Sequence, residues 1–546
     1  MKFSTLKMRL SADDKHRFLL IARVFGAALI LRTLSAGTAY YPLLDDSIQL
    51  INFQRSTDFG QLIENLGLFA SRPLAALTDL YFTGRFHGAL MIPALVFAVM
   101  HGISGVLFLR LFERKWHTGI GFCVFYALLP ISIEGVYWLS AAGRVVPGML
   151  FCAVTANLYE DYIREGGILR LVCFPIAALL SYGFYEQILV LSFTLTMLQL
   201  LSHLREKRAW FALLVFPMLA LYFIFTGLNA SDGAIGSRMA LTKPFTPWYM
   251  EYFLPDITRQ IGAVILKGGV RTLFVGFVRG LSVSFTSIGG ILLLPVLLCV
   301  SAVIGRLIPH KAKTALPVPH VSVYVWGILL FLAPMSLYFV IKNPTYSFRA
   351  VVPSMLGAGL IVDALLQTCL RRQRIYAAVC GVLAAVCLIA GVSEMHDYRA
   401  VGQYDDRMAK AILAVDEEMS GRVGILCMEQ QPTDSNYTFN AHITSAGAYD
   451  WSLYGKLVAV GAEELPYTPI PLAVTKFSFY HGWNTSIKRI GGYDQIWVWD
   501  EDAGTVTRLT VTPTGTGEHD YTFTQPDGTP WGCVFEEDDY GYIRIY

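Results

Sequence analysis

The chain has 546 residues, of which 54% are hydrophobic and only 15% charged, whereas an average soluble protein carries about 25% charged residues. With a mean hydropathy of +0.48, this composition is typical of a membrane protein. A formal net charge of +2 creates no field that would hold nucleic acid by counterion release, which excludes nucleic acid as a partner. None of the nine cysteines belongs to a CxxC pair, so neither a zinc cluster nor a disulfide scaffold is expected.

Long uncharged stretches recur along the chain, and each, with its flanks, is long enough to cross an apolar bilayer core of about 20 residues. They cover residues 86–109, 116–133, 145–159, 171–185, 187–201, 209–231, 280–305, 314–341 and 375–393. Two further candidate spans contain charge: 18–38, with Arg23 and Arg32, and 349–369, with Asp363. We predict a mainly α, polytopic membrane protein of about eleven spans.

The distribution of Lys and Arg predicts the orientation, because cytoplasmic loops carry the excess of these residues. Basic clusters at 2–17, 110–115, 164–170, 205–208, 306–313 and 371–374 fall on one side of the predicted spans, and only Arg144, Lys342 and Arg349 lie in the short loops of the other. The N-terminus is therefore expected in the cytoplasm of a cell with a plasma (inner) membrane. The first apolar run lacks a cleavage pattern and is interpreted as a permanent anchor.

The composition divides the chain into a membrane domain, 1–393, and an extracytoplasmic soluble domain, 394–546. Two long outer segments interrupt the spans. Segment 39–86 contains an amphipathic helical pattern, and segment 230–280 is apolar but so rich in arginine that we interpret it as lying on the outer surface. Short alternating stretches in the last domain predict a small α/β or β-rich module, with a helix at 405–419 and a strand at 422–427.

Asp45 and Asp46 follow the first span closely, after Tyr40-Tyr41-Pro42. An ionised carboxylate at the membrane surface can accept a proton from a hydroxyl or bind a divalent cation. The alternative is a turn or helix cap with solvated acids, since aspartate favours such positions.

Several arginines share the predicted outer side, and guanidinium groups match phosphate oxygens in shape and charge. They are Arg72 and Arg85 in the first outer segment, Arg144, and Arg349, with Lys342 nearby. The alternative for each is snorkelling to ordinary head groups. Arg32 lies deeper in its span, which favours a position facing a cavity.

Carboxylates and aromatic residues also gather at the predicted outer turns. Glu134, Tyr137 and Trp138 mark one turn, and Tyr185 and Glu186 mark the next. Carboxylates that accept from hydroxyls and aromatic rings that cover sugar faces could form a sugar pocket. An interfacial aromatic belt with charges at helix ends is the alternative. Asp363, near the inner end of its span, is assigned a structural role.

Together these features resemble the multipass glycosyltransferases of the GT-C fold class, which use polyprenyl-phosphate sugars, and most of all the bacterial O-antigen glucosyltransferase type. The resemblance covers roughly residues 17–393. It rests on the Asp45-Asp46 pair, the amphipathic outer segment, Ser71-Arg72-Pro73-Leu74, Tyr137-Trp138 with Arg144, and a soluble outer C-terminal domain. It implies that Asp45 and Asp46 activate the acceptor or bind a divalent cation such as Mg²⁺ or Mn²⁺.

The sequence thus predicts an enzyme that moves a sugar from a polyprenyl-phosphate donor to a glycan or other hydroxyl acceptor at the outer membrane face, among membrane lipids. Such a transfer needs one base but no protonated acid, because phosphate is already a stable leaving anion. The alternatives are a transporter or flippase of a lipid-linked saccharide and a noncatalytic, glycan-binding membrane scaffold. No paired broken spans of the transporter kind stand out in the sequence.

Overall fold

In this computed structural model the chain forms two compact units. The first has the bounds Met1–Ala39 and Asp58–His396, and the second has the bounds Tyr40–Thr57, Asp397–Asn436 and Ala441–Tyr546. The structure describes residues 12–52, 72–229, 241–307, 316, 319–342, 344–427, 443–462, 464–475, 478–481, 490–514, 520–537 and 542–545.

The first unit is helical, and its last helix continues into the second unit. Among the described residues the main helices are α1 (Ala12–Leu34), α2 (Pro73–Tyr81), α3 (Met91–Trp116), α4 (Leu139–Glu165), α5 (Ile168–Tyr182), α6 (Glu186–Ser202), α7 (Lys207–Leu228), α8 (Tyr249–Ser284), α9 (Ile288–Arg306), α10 (Val321–Phe339), α11 (Phe348–Cys369) and α12 (Gln373–Leu413).

Eight helices of the described chain are long and apolar enough to cross a membrane: α3, α4 and α7 to α12. Helices α5 and α6 are apolar but shorter. Helix α1 has suitable length but carries Arg17, Arg23 and Arg32. These helices confirm a mainly α, multi-pass, membrane-embedded protein.

The predicted span at 116–133 is not one continuous helix. It consists of Gly121–Cys123, a π-helical turn Val124–Leu128, the 3-10 turn Pro130–Ser132 and the short helix Ile133–Tyr137. The break falls at Leu129, whose ψ of 129° is extended, because the proline that follows disfavours the helical conformation in the preceding residue.

This broken segment, residues 121–137, runs alongside α11. Gly121 lies against Asp363, and Gly135 lies against the backbone of Arg349. The two ends of α11 are called here the Asp363 end and the Arg349 end. Most of the broken segment is buried, as non-helical backbone at membrane depth must be.

Most of the segment interpreted as lying on the outer surface, 230–280, belongs to a long helix, α8, and not to an irregular loop. Two of its hydrogen bonds fall at one end of the unit. Tyr249 donates a hydrogen bond from its hydroxyl to Phe339 O (3.0 Å), and Gln260 Oε1 accepts from Tyr346 N (3.0 Å). Both partners lie near the Arg349 end of α11.

The second unit is built on a closed barrel of eight strands. The strands are β1 (Gly421–Leu426), β2 (Tyr467–Thr475), β3 (Ser478–His481), β4 (Gln495–Asp500), β5 (Thr505–Pro513), β6 (Asp520–Thr524), β7 (Pro530–Glu537) and β8 (Tyr542–Ile545). Their order around the barrel is β1-β2-β3-β8-β7-β6-β5-β4. Strand β1 pairs in parallel with β2 and β4, and the other pairs are antiparallel.

A core of helices packs against one side of this barrel. The end of α12 contributes Met408 and Ile412, and α13 (Asp450–Val460) contributes Leu453; they pack with Trp497 of β4. The β-rich prediction is confirmed. The predicted helix at 405–419 stops at Leu413, where α12 ends.

The second unit also takes in the chain that follows α1. Residues Ser47–Asn52 form a π-helical turn that packs on α13, with Ile48 against Gly455. Part of the predicted outer segment 39–86 therefore belongs to the second unit and not to the membrane domain. Its predicted amphipathic helix, around residues 59–66, lies outside the described residues.

Candidate functional site

The two predicted acidic residues have different environments, both in the second unit. Asp46 is fully buried and accepts a hydrogen bond from the Tyr40 hydroxyl at 2.5 Å. Asp45 is only partly buried. Leu44, with φ of 46°, makes the turn before them. Asp46 is therefore not a solvated acid, because its segment folds into the core of this unit.

The described residues contain no group of three or more His, Cys, Asp or Glu side chains that could hold a metal ion. Mg²⁺ requires six ligands in near-octahedral geometry, usually with several waters. Asp46 Oδ2 accepts from Tyr40, and a divalent cation held by Asp45 and Asp46 stays a prediction. The predicted Mg²⁺ or Mn²⁺ site therefore supplies no step of the mechanism proposed below.

The structure joins two predicted residues of the first unit, Arg72 and Glu186. Arg72 Nε lies 3.0 and 3.2 Å from the two oxygens of Glu186, and Arg72 Cζ lies 4.6 Å from the centre of the Tyr185 ring. Both charged side chains keep some exposure, 21% and 14%. They form a partly solvated ion pair on an aromatic face.

Local sequence places this pair. Pro73 begins α2 directly after Arg72, and Glu186 begins α6 directly after a tight turn. The two turns are joined by a hydrogen bond from Leu74 N to Gly183 O (3.0 Å), and the Leu74 side chain covers Gly183. A side chain at position 183 would collide with Leu74, so glycine permits the approach.

Burial by itself lowers the pKa of Arg72, and the neighbouring Glu186 carboxylate raises it, so that this pKa lies above the ordinary value for arginine. Arg72 is therefore a permanent cation. Arg72 binds Glu186 through Nε alone, and its Nη1 and Nη2 groups have no hydrogen-bond partner among the described residues.

A second group forms where the broken segment meets the start of α11. Glu134 is buried, and its Oε1 accepts from the Ser347 hydroxyl (2.9 Å) and from Arg349 N (3.3 Å). The Arg349 guanidinium lies over Trp138, with Cζ 5.5 Å from the ring centre. Glu134 thus orients the backbone that carries Arg349. Trp138 is fully buried, so it does not offer the open sugar platform that was expected.

Tyr338, which sequence reasoning missed, connects the two groups. It interacts electrostatically with Tyr185 and with Arg349, and its ring packs edge-on to that of Tyr346, with 4.9 Å between the ring centres. The sequence signal that could have identified Tyr338 is a tyrosine near the end of an apolar span, α10. We call Arg72, Tyr185, Glu186, Tyr338, Arg349, Glu134 and Trp138 the arginine cluster.

The third predicted phosphate ligand, Arg144, forms a separate pair. It lies 3.8 Å from Asp79 of α2, and both side chains are about 5% exposed. The sequence analysis did not select Asp79 as a site residue, although it lies in α2, which begins directly after Arg72. Because a buried carboxylate already neutralises Arg144, the structure favours a structural role for this arginine over a phosphate contact.

Arg32 is buried in the first unit and donates from Nη1 to the carbonyls of Ala127 (3.3 Å) and Leu128 (3.4 Å). These carbonyls precede the break at Leu129, where helical hydrogen bonding stops. Arg32 therefore supplies hydrogen bonds to carbonyls that precede the break, and it does not line an open cavity. Of the remaining candidates, Arg85 and Lys342 are exposed and Tyr137 is buried.

The chain matches no protein-family model, and neither a search of curated proteins nor a search of solved structures found a significant match. The fold and the site define a multi-pass membrane protein with a barrel-containing C-terminal unit and an arginine cluster at one end of its helices.

Proposed function

We propose that the protein is a membrane glycosyltransferase that moves a sugar from a polyprenyl-phosphate donor to a hydroxyl acceptor. One observation carries the proposal. Arg72 and Arg349, far apart in the chain, both interact electrostatically with Tyr338 at the end of apolar helices, and the terminal nitrogens of neither guanidinium form a hydrogen bond with a described residue. Unused guanidinium forks beside aromatic rings at a membrane surface suit a lipid-linked phosphate and a sugar.

In this mechanism Arg72 and Arg349 hold the donor phosphate and stabilise the charge that grows as the sugar–phosphate bond breaks. Glu186 fixes Arg72 through Nε and accepts from a sugar hydroxyl with its remaining lone pairs. The acceptor attacks the anomeric carbon from the opposite face, which inverts the configuration, and its proton goes to a carboxylate base. Asp45 and Asp46 are the candidates for that base.

We propose eleven crossings, comprising α1, α3, the broken segment, α4 to α7, α9 to α11 and the first part of α12, with a cytoplasmic N-terminus. Helix α8 lies along the outer surface in this scheme. The support is that Tyr249 and Gln260 bind partners near the Arg349 end, and that Arg279 Nη1 lies 3.3 Å from Ser393 Oγ. Residue 393 lies about 30 Å along α12 from its first residue, at 1.5 Å per residue.

Labelling on intact cells tests the topology. In a cysteine-free protein, a cysteine at Asp502, which is exposed in the barrel unit, should react with an impermeant maleimide, and one at Ser202 should react only after the membrane is permeabilised. The reverse pattern would refute this orientation.

Proteoliposomes containing the full chain test the activity. We would supply sugar-labelled polyprenyl phosphates and a hydroxyl acceptor, and compare the wild type with the double variant Arg72→Met/Arg349→Met. Transfer should fall by at least about 10²-fold. Arg259→Met is the matched control, because Arg259 is an exposed arginine paired only with Asp256 (2.5 Å) among the described residues.

The same assay separates the alternatives. Movement of the intact lipid-linked saccharide across the bilayer without transfer would replace the proposal by a flippase. Binding of free glycan without use of the lipid donor would replace it by a noncatalytic scaffold.

A further inference from the structure

An open groove of about 400 Å³ runs between α9 and α12 in the first unit. Its walls include Leu298 and Val382, both exposed, and its floor is made of small residues such as Gly305 and Gly381. Both helices are long and apolar enough to cross a membrane, and both cross it in the topology proposed above, which places the groove against the hydrocarbon of the bilayer.

Close approach of the two helices creates the floor. A Cβ added to Gly305 would lie 2.9 Å from Ala377 O, and one added to Gly381 would lie 3.2 Å from Ser301 O. Small residues at these positions let the backbones meet. The larger side chains on either side then stand above a furrow that is narrow and apolar.

One end of the groove is cationic. Arg306, in the last turn of α9, and Arg374, in the first turn of α12, both line it. Both side chains are exposed, and neither forms an ion pair with a described residue. This is the Asp363 end of the unit, because Tyr376, two residues after Arg374, hydrogen-bonds to Asp363.

We propose that this groove is a binding site for an anionic phospholipid. One acyl chain lies along the small-residue floor, and Arg306 and Arg374 hold the head-group phosphate through their guanidinium forks. A zwitterionic lipid carries the same chain but adds a cationic group beside the two arginines, so charge complementarity selects the anionic lipid. Basic pockets between membrane helices recognise anionic head groups in this way.

The site does not depend on the proposed glycosyl transfer. It lies at the Asp363 end of the unit, and the arginine cluster lies at the Arg349 end. Loss of lipid binding would leave the donor site untouched, so the two proposals fail independently.

Native mass spectrometry of the purified full chain tests the proposal, with phosphatidylglycerol or phosphatidylcholine added from mixed micelles. The double variant Arg306→Gln/Arg374→Gln should bind phosphatidylglycerol about 25-fold more weakly, at roughly fivefold for each arginine. The matched control is Arg371→Gln/Arg372→Gln, which removes equal charge from exposed residues outside the groove lining. It should bind like the wild type.

A second pair of variants tests the groove itself. Ala378→Phe fills the furrow and should displace the lipid, whereas Val303→Phe adds the same ring at an exposed position of α9 that does not line it. Equal phosphatidylglycerol binding by wild type, both arginine variants and Ala378→Phe would overturn the proposal. Equal binding of phosphatidylcholine and phosphatidylglycerol by the wild type would also overturn it. Full displacement of phosphatidylglycerol by inorganic phosphate would do the same, because it would indicate an anion site that does not bind a lipid.

Discussion

The substitution Arg72→Lys tests the phosphate role most directly, because it keeps the positive charge and removes the planar fork. In the structure Arg72 Nε contacts both oxygens of Glu186, at 3.0 and 3.2 Å, and leaves the terminal nitrogens for a ligand. A lysine ammonium can contact Glu186 or the phosphate, but it cannot present an oriented pair of donors to one while it holds the other.

The expected fall in donor kcat/KM follows from the loss of one hydrogen bond between Arg72 and the phosphate. A hydrogen bond to a charged group contributes about 1.5 to 3 kcal/mol, so donor kcat/KM should fall roughly 10- to 150-fold. Stability should change little, because the pair with Glu186 is partly exposed and such pairs are worth about 1 kcal/mol or less. The stacking on Tyr185 adds about 0.5 to 1 kcal/mol.

The assay is initial-rate transfer in proteoliposomes over a range of donor concentrations, together with a melting curve of the same preparation. Arg259→Lys, the matched control, should keep wild-type kinetics because its side chain is 80% exposed. Wild-type donor kcat/KM in Arg72→Lys would refute the fork argument. A loss of activity that tracks a loss of folded protein would assign Arg72 to structure alone.

Three further predictions concern other residues. Asp45→Asn should reduce transfer by at least about 10²-fold in folded protein if Asp45 is the acceptor base, whereas Asp46→Asn should chiefly lower the melting temperature because Asp46 is buried and holds Tyr40; full activity in both variants would exclude the pair as base. Arg32→Met should destabilise the protein by about 1 to 3 kcal/mol, since two carbonyls lose their donor, and weaker donor binding at unchanged stability would contradict this role. The hydrogen bond to Glu160 raises the pKa of His203, so this imidazolium stabilises the fold below its unfolded pKa of about 6.5 and loses that effect as pH rises through the higher folded value. His203→Gln should therefore melt with less dependence on pH in this range, and identical profiles would disprove the linkage.

The sequence by itself determined the membrane class and the positions of most apolar helices. A run of about 20 apolar residues is a local property, and its transfer into a bilayer needs no partner. The alternating stretches after residue 394 likewise predicted the β-rich unit, because the two-residue period of a strand is visible in a short window. Neither conclusion depends on which distant residues meet.

Only the tertiary structure decided which polar groups meet. The broken segment is tolerated because Arg32, about 95 residues earlier in the chain, reaches the carbonyls freed at the break. No local pattern in the sequence revealed that Arg144 pairs with Asp79, or that Asp46 is buried within the second unit.

The arginine cluster shows both parts of this division. Sequence reasoning selected Arg72, Glu186 and Arg349 as residues of one membrane side, but it grouped Arg144 with them and omitted Tyr338. The membrane side on which a residue lies follows from the number of spans before it. Which side chains touch depends on how the helices pack and rotate against one another. Those are decided by small residues such as Gly183 and Gly135, which allow particular backbones to approach.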